Sequence, residues 1–499
     1  ANMSSVLLHS ARFHIRPFLA TDTERMTEMF RDGVIEQFTN WCPAEAERLV
    51  AWGVSKAADH VPGRHFLCPI VGENEQVVGL AGLNAMDSGD TEMELVLSPE
   101  VRGIGLGTEV GNCLVRYAED YLGLSRIVAF THRDNDACKH FLHRLHFQPC
   151  SPSDIGREGA DDSCFIRPLT RREFSRKSTI IRRAISTFPT AGLVRGPSRI
   201  YQARRLSQSL GVSVFLMRDD LISFGLGGNK VRKLDYLIAD AKKQGATSLV
   251  VRSPSSFSRN AAAATRCHNL SLHVLSSTDK DHHNPASQAF FQSCGATLHY
   301  AQGQGPDLEA SETRLAEELR GGGESVYRLH PGGSDGVGTL GYVAAARDIV
   351  EWSAETGVVF DVVVLATGSA ATQAGLALGL SLASYPTRVL GMAISQPAEV
   401  QHRRVAALVE AAGELMHCPV DTSSCVFVDD RALGQGYPIP SPESETAAER
   451  LLVEEGVVVD TVYGGKAMAG LVDMIAKEQV PRGQRILFLH TGGNGGLYY

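Results

Sequence analysis

No pair among the ten cysteines is spaced C-x-x-C, so neither a zinc ribbon nor a dithiol redox motif can be read in the chain. Scattered from Cys42 to Cys425, the cysteines fit free thiols in a reducing, cytoplasmic setting. A bilayer-spanning apolar run is also missing. The nearest approach, Asp361 to Tyr385, is interrupted by Gly, Ser, Thr and Gln. No stretch reads as a signal peptide, and neither an internal repeat nor a low-complexity segment is visible. Basic charge is not in excess: the formal net charge of -8 argues against nucleic acid or an anionic membrane as partner. These absences, with 43% hydrophobic and 21% charged residues, leave an ordinary globular protein.

At 499 residues the chain has room for about three folding units of roughly 150 residues each. From Phe13 to Arg167 short apolar strands alternate with amphipathic helices. Strands are expected at Val77–Leu83, Met93–Leu97 and Arg126–Phe130. Helices are expected over Thr108–Tyr121, with Val110, Cys113, Leu114 and Tyr117 on one face, and again after Asn135. A basic stretch follows, carrying Arg167, Arg171, Arg172, Arg176, Lys177, Arg182 and Arg183. It reads either as an anion-binding patch or, the better-supported reading, as a solvated linker or linker helix. From Phe188 onward strand, turn and helix repeat, with strands at Leu249–Val251, Val359–Ala366 and Arg485–Leu489, which implies βαβ units with parallel strands. The division expected is 1–167, a basic linker 168–187, and 188–499.

Two short segments carry chemistry. Arg102-Gly-Ile-Gly-Leu-Gly107 lies between a strand and a helix, where glycines let backbone N–H groups approach a phosphate. Alone, such a turn is equally a tight strand-to-helix connection. Glu94, with Glu92 two residues earlier on the same strand face, is a candidate base that would act through water, or else a solvated strand carboxylate. In the second segment, Gly227-Gly-Asn-Lys230 places a lysine at a helix start. Crowding and the helix dipole there would keep its amine neutral enough to form a Schiff base.

The block Val101–Glu109, together with Leu122–Ile127, Asn135 and Leu142–Phe147, resembles the GNAT superfamily of N-acetyltransferases over residues 12–167. That resemblance implies a mixed α/β sheet and acetyl-CoA or another acyl-CoA as co-substrate. It places the pyrophosphate on Arg102, Gly103, Gly105 and Gly107, the pantetheine arm near Asn135, and a catalytic base at Glu94. The tyrosine that protonates the leaving thiolate in many such enzymes is Leu142 here.

The string Arg218–Tyr236 resembles the D-cysteine desulfhydrase and 1-aminocyclopropane-1-carboxylate (ACC) deaminase family, fold type II of the pyridoxal-phosphate (PLP) enzymes, and the likeness runs from Phe188 to Tyr499. It implies two αβα subdomains, a cleft for PLP, a homodimer, and a small amino acid or amine as substrate. Lys230 becomes the PLP lysine, beside Asn229. Thr367, Gly368, Ser369, Ala370, Ala371 and Thr372 become the phosphate loop. Tyr437 and Tyr463 flank the substrate, and Thr491 lies near the pyridine nitrogen.

Three departures accompany the resemblance. Where the family turn reads G-G/A-I-Q-S-N-x-x-R, this chain has Ser253-Pro-Ser-Ser-Phe-Ser-Arg-Asn260. Phe257 is read at the serine position, with Ser258, Arg259 and Asn260 as the substrate-binding substitutes. Gly464 stands where Thr or Glu is usual. Ala370 and Ala371 replace a Gly-Gly pair. The expected function is therefore an acyl-CoA-dependent acyltransferase fused to a PLP-dependent lyase or deaminase-like domain. The alternative is that one domain is a non-catalytic sensor regulating the other.

Overall fold

The computed structural model describes residues 8–10, 12–39, 41–56, 66–155, 162–169, 171–277, 284–302, 306–481 and 483–493. Two compact units emerge, one of residues 1–174 with 353–358, the other of 175–352 with 359–499.

The first unit is built on one eight-stranded sheet. Its strands are β1 (Leu8–His9), β2 (Phe13–Ile15), β3 (Phe66–Gly72), β4 (Val77–Ala85), β5 (Thr91–Leu97), β6 (Arg126–His132), β7 (Gln148–Cys150) and β8 (Asp162–Pro168). They lie in the order β1-β2-β3-β4-β5-β6-β8-β7. All pairs are antiparallel except β5 with β6, which run parallel and share a single registered pair, Glu92 with Val128. Beyond that pair the two strands part. Helix Leu106–Arg116 covers the sheet, burying Leu106, Val110, Gly111, Leu114 and Val115, an i, i+4, i+8 stripe with its neighbours. Its predecessor turn follows β5 directly, so the glycine loop sits at the end of the strand that carries Glu94.

The second unit holds two sheets. Its strands are β9 (Ile200–Gln202), β10 (Ser213–Arg218), β11 (Ser248–Arg252), β12 (Ser271–Ser276), β13 (Thr297–Tyr300), β14 (Val326–Leu329), β15 (Val362–Thr367), β16 (Arg388–Ala393), β17 (Phe427–Asp429) and β18 (Arg485–His490). The larger sheet has the order β17-β16-β15-β18-β10-β9 and the smaller β13-β12-β11-β14. Every pair is parallel except edge strand β9. Parallel strands covered by helices are apolar on both faces, and β15 and β18 are buried almost throughout.

The basic stretch is the end of a strand followed by a helix. Arg167 belongs to β8, is 4% exposed, and donates from Nη1 to the Leu145 carbonyl at 2.5 Å. The residues after it form a helix, Arg171–Ile185, in which Phe174, Ser178, Ile181 and Ile185 are buried at helical spacing. Its arginines alternate with a packed apolar stripe. Among the described residues no helix is long and apolar enough to cross a membrane.

Candidate active sites

In the first unit the turn after β5 takes the shape that a phosphate cradle needs. Gly103 and Gly105 have φ of +78° and +87°, a region costly to residues with a Cβ, and Gly105 caps helix Leu106–Arg116. First-turn N–H groups of a helix have no intrahelical acceptor and favour an anion. Arg102 was expected among the pyrophosphate-binding residues, and its guanidinium has protein partners. It donates from Nε to the Leu97 carbonyl at 3.0 Å and pairs with Asp32. Arg102 therefore pins the loop, and any phosphate contact it makes is through the backbone. A cation that the sequence did not single out lies across the loop: Arg12 donates to the Ile104 carbonyl at 3.1 Å and to Glu109 Oε2 at 2.6 Å. Gly107, half-buried in the first turn of the helix, sits where a Cβ would be 3.2 Å from a Leu97 methyl.

Glu94 pairs in register with Gly82, past the point where β5 and β6 part and toward the cradle. Asn135 caps helix Asp136–Arg144, accepting from Cys138 N at 3.0 Å. Leu142 is 1% exposed in the core, as an apolar residue should be, and offers no proton.

The second unit encloses a cavity of about 340 Å³ whose lining includes Asn229, Lys230, Thr367–Ala370, Thr372, Tyr437, Tyr463 and Thr491. Residues far apart in sequence meet there for local reasons. Gly227 and Gly228 have φ of +66° and +82°, and a Cβ on Gly228 would lie 2.9 Å from the Thr491 carbonyl. Only glycine lets the turn before helix Asn229–Lys243 approach the end of β18 this closely. That carbonyl accepts Asn229 N at 2.8 Å, and Asn229 Nδ2 donates to Thr372 Oγ1 at 2.9 Å. Burial pushes the Lys230 amine down to about 8, against the opposing pull of Asp460.

Thr367 ends β15, and the chain turns through Gly368–Ala370 into helix Ala371–Leu382. Ala370 holds φ at +73°, where glycine would be unstrained. A Cβ on Gly368 would press on Ile394 Cδ1 at 3.0 Å, so the loop has no room for a side chain there. Gln401 braces it, donating to Thr367 Oγ1 at 2.9 Å and the Gly368 carbonyl at 3.1 Å. Lys233 reaches the same loop from the Lys230 helix. It is fully buried, with Nζ 3.0 Å from the Gly332 carbonyl and 3.3 Å from Ser369 Oγ. Burial first, then the neighbouring Lys230, push its amine well down from the usual lysine range. A buried lysine amine without a carboxylate in hydrogen-bond contact, beside a helix-start loop, fits a phosphate group, whose negative charge would restore its proton. Gln401 and Lys233 were both missed in the sequence. The K-x-x-K spacing, which puts two lysines on one helix face, was the available signal for Lys233.

Tyr463 Oη donates to Tyr437 Oη at 3.2 Å, with ring centroids 5.8 Å apart. Burial and this contact hold the Tyr463 phenol above its usual range. Tyr437 stands on a loop fixed by Lys466, which is buried on the helix following Tyr463 and donates to the Leu433 and Gly436 carbonyls at 2.9 and 2.8 Å. Gly464 N donates to Asp460 Oδ2 at 3.2 Å, so the position where Thr or Glu was expected contributes backbone only.

The three substrate-binding substitutes are not on the cavity. Ser258 is fully buried and closes a capping box with Ser255. Asn260 Oδ1 accepts Leu226 N at 2.8 Å, and its Nδ2 donates to the Gly227 carbonyl, bracing the lysine turn. Arg259 Nη1 donates to Ser287 Oγ at 3.2 Å. The lining instead takes Ser253, Ser255 and Ser256. Phe257 touches the cavity too, yet its ring is 1% exposed in the core and is no substitute for a serine. Helix Ser256–Cys267 begins one residue after Ser255, so helical geometry sends Ser258 and Asn260 away from the opening that its first turn faces. The family spacing S-N-x-x-R fits Ser255, Ser256 and Arg259, two residues earlier than first read.

A buried lysine on a Gly-Gly-Asn turn, a helix-start phosphate loop and parallel sheets on either side of the cleft define a PLP enzyme of fold type II. The chain matches the model of the pyridoxal-phosphate dependent enzymes over residues 192–492 and belongs to that family. Residues 12–148 match the acetyltransferase (GNAT) domain. It is 33% identical over 332 residues to D-cysteine desulfhydrase of Serratia proteamaculans, covering 64% of this chain and 98% of that protein. To a putative 1-aminocyclopropane-1-carboxylate deaminase of Pyrococcus furiosus it is 34% identical over 320 residues, 63% of this chain and 95% of that one. The crystal structure of an ACC deaminase homologue superposes with a TM-score of 0.58 at 31% identity, covering 63% of this chain and 94% of that chain.

Proposed function

We propose that the chain is a bifunctional enzyme, an acyl-CoA-dependent acyltransferase joined to a PLP-dependent lyase or deaminase acting on a small amino acid. The observation that carries the second half is Lys230, its amine held near neutrality in a cavity faced by two hydrogen-bonded tyrosines and a phosphate loop.

Lys230 is the residue that would hold PLP, with the phosphate against Lys233, Gly368–Ala370 and the start of helix Ala371–Leu382. When bound, PLP supplies an electron sink for a bond broken at the substrate Cα. The start of helix Ser256–Cys267, with Ser255 and Ser256, orients the α-carboxylate. The Lys230 amine takes and returns the Cα proton, and its depressed basicity suits both directions near neutral pH. Tyr463, whose phenol resists ionisation, presents a proton to the substrate side chain together with Tyr437. In the first unit the cradle holds the pyrophosphate of the acyl-CoA, and Glu94 removes a proton from the acceptor amine through water. An α-N-acyl amino acid cannot condense with the cofactor. Acylation of the α-amine therefore follows the PLP step, whereas side-chain acylation can precede it. The PLP unit is proposed to work as a homodimer.

The direct test is turnover. Holoprotein is incubated with a panel of amino acids while ammonia, oxo acid and sulfide are measured, and with acetyl-CoA and amines while free CoA thiol is measured. Multiple turnovers are expected in both assays. Ligand binding without turnover in one of them would show that unit to be a sensor.

Lys466→Met gives a narrower test of the tyrosine pair. The variant is expected to keep its visible PLP band but to lose roughly 10-fold or more in amino-acid kcat, with a smaller change in KM, because the Tyr437 loop loses both anchors. Unchanged kcat would show that the Tyr437 loop holds its place without Lys466.

A further inference from the structure

The cavity lining has an unbalanced charge. Lys230 and Arg252 are its formally charged residues, both cationic, and no carboxylate is among them. The anions already placed have their own partners: the cofactor phosphate meets Lys233 and the loop after β15, and the substrate α-carboxylate meets the start of helix Ser256–Cys267. Arg252 has no counterpart in that inventory.

Its position is well defined. Arg252 ends β11, immediately before Ser253, whose φ of +67° bends the chain toward the N-cap Ser255. Nε lies 2.7 Å from Glu312 Oε2, and Nη1 lies 3.4 Å from Glu309 Oε2. Glu312 is buried and also binds Arg328 Nε at 3.2 Å, so two guanidinium groups share one buried carboxylate. Glu309 is 60% exposed and solvent weakens its pull. The cluster thus holds Arg252 in a fixed orientation at the cavity wall.

We infer that Arg252 selects amino-acid substrates that carry a second anion on the side chain, a carboxylate or a phosphate. A guanidinium fixed through Nε and Nη1 keeps Nη2 to donate to either group. The inference rests on the PLP reading proposed above.

The test is a binding titration of the holoprotein by visible absorbance and by calorimetry. The probes are both enantiomers of aspartate, glutamate and O-phosphoserine, with alanine, serine and glutamine as neutral controls. In the wild type an anionic probe is expected to bind at least ~10-fold more tightly than its neutral counterpart, and Arg252→Gln is expected to erase that margin while leaving neutral probes unchanged. Arg252→Lys should keep part of it. The aspartate, glutamate and O-phosphoserine arms separate a carboxylate from a phosphate. Equal weakening of neutral and anionic probes in Arg252→Gln would assign Arg252 to the α-carboxylate and overturn the inference, as would a wild-type preference for neutral probes. Loss of the visible band in the wild type would defeat the PLP reading itself, and loss of it only in Arg252→Gln would make the residue structural.

Discussion

Lys230→Ala is expected to abolish the visible absorbance band that PLP gives with the wild type and that borohydride removes, and to lower amino-acid turnover by ~10³-fold or more. The acyltransferase assay should not change. The reasoning is electrostatic as well as chemical. A lysine attacks the cofactor aldehyde only as the neutral amine, and burial has pushed Lys230 down to about 8. Below that pH the amine is protonated and uptake of PLP by the apoprotein is slow. Uptake should rise with pH and level off above about 8. An unburied lysine would continue to gain reactivity up to the ordinary lysine value of 10.5. Stopped-flow absorbance across this range measures it. Lys233 is the built-in control, since it sits one helical turn away and is the more deeply buried. Lys233→Ala should keep the band's borohydride sensitivity but weaken PLP binding. A band that survives in Lys230→Ala and disappears in Lys233→Ala would exchange the two roles.

The second large effect is expected in the first unit. Replacing both Gly103 and Gly105 by Val should raise the KM for acyl-CoA by roughly 30-fold or more, because each substitution places a β-branched residue at positive φ, at about 1–2 kcal/mol apiece. Steric damage does not confuse the result. A Cβ at Gly103 meets nothing within 4 Å, and one at Gly105 meets only Arg12 Nη2 at 3.8 Å. The strain falls on the loop conformation, and circular dichroism should report an intact fold. The PLP band and amino-acid turnover should stay at wild-type levels. An unchanged KM would mean that acyl-CoA is held without the cradle.

Much of this arrangement was legible as pattern. The expected strands at Leu249–Val251 and Arg485–Leu489 lie within β11 and β18, and parallel pairing followed from apolar runs separated by helices. Boundaries were less accurate. Helix Thr108–Tyr121 was expected, whereas the α-helix spans Leu106–Arg116 and then widens into a π turn at Tyr117–Tyr121. Short-range motifs were also read correctly as loops, since glycine at a turn is a local requirement. The helix start at Ser255 was not placed, although Ser255 and Ser258 spell a capping pair, and the residues first read there lie off the cavity lining. Arg102 was given a phosphate by analogy, but its partner is Asp32, seventy positions away.

The sequence by itself determined the two families, the two glycine turns and the parallel topology, because each depends on residue type and near-neighbour spacing. Tertiary structure decided which side chains face the chemistry. Lys233 was buried beside Ser369, Lys466 became the anchor of Tyr437, and Asn260 turned from the cavity to brace the lysine turn. Arg252 entered the cavity wall because Glu312 and Arg328, from a helix and a strand far along the chain, fix its orientation. Local spacing sets the direction of a side chain relative to its own helix or strand. Its charge state and its partner depend on what the rest of the chain brings within a few ångströms, and no local pattern encodes that.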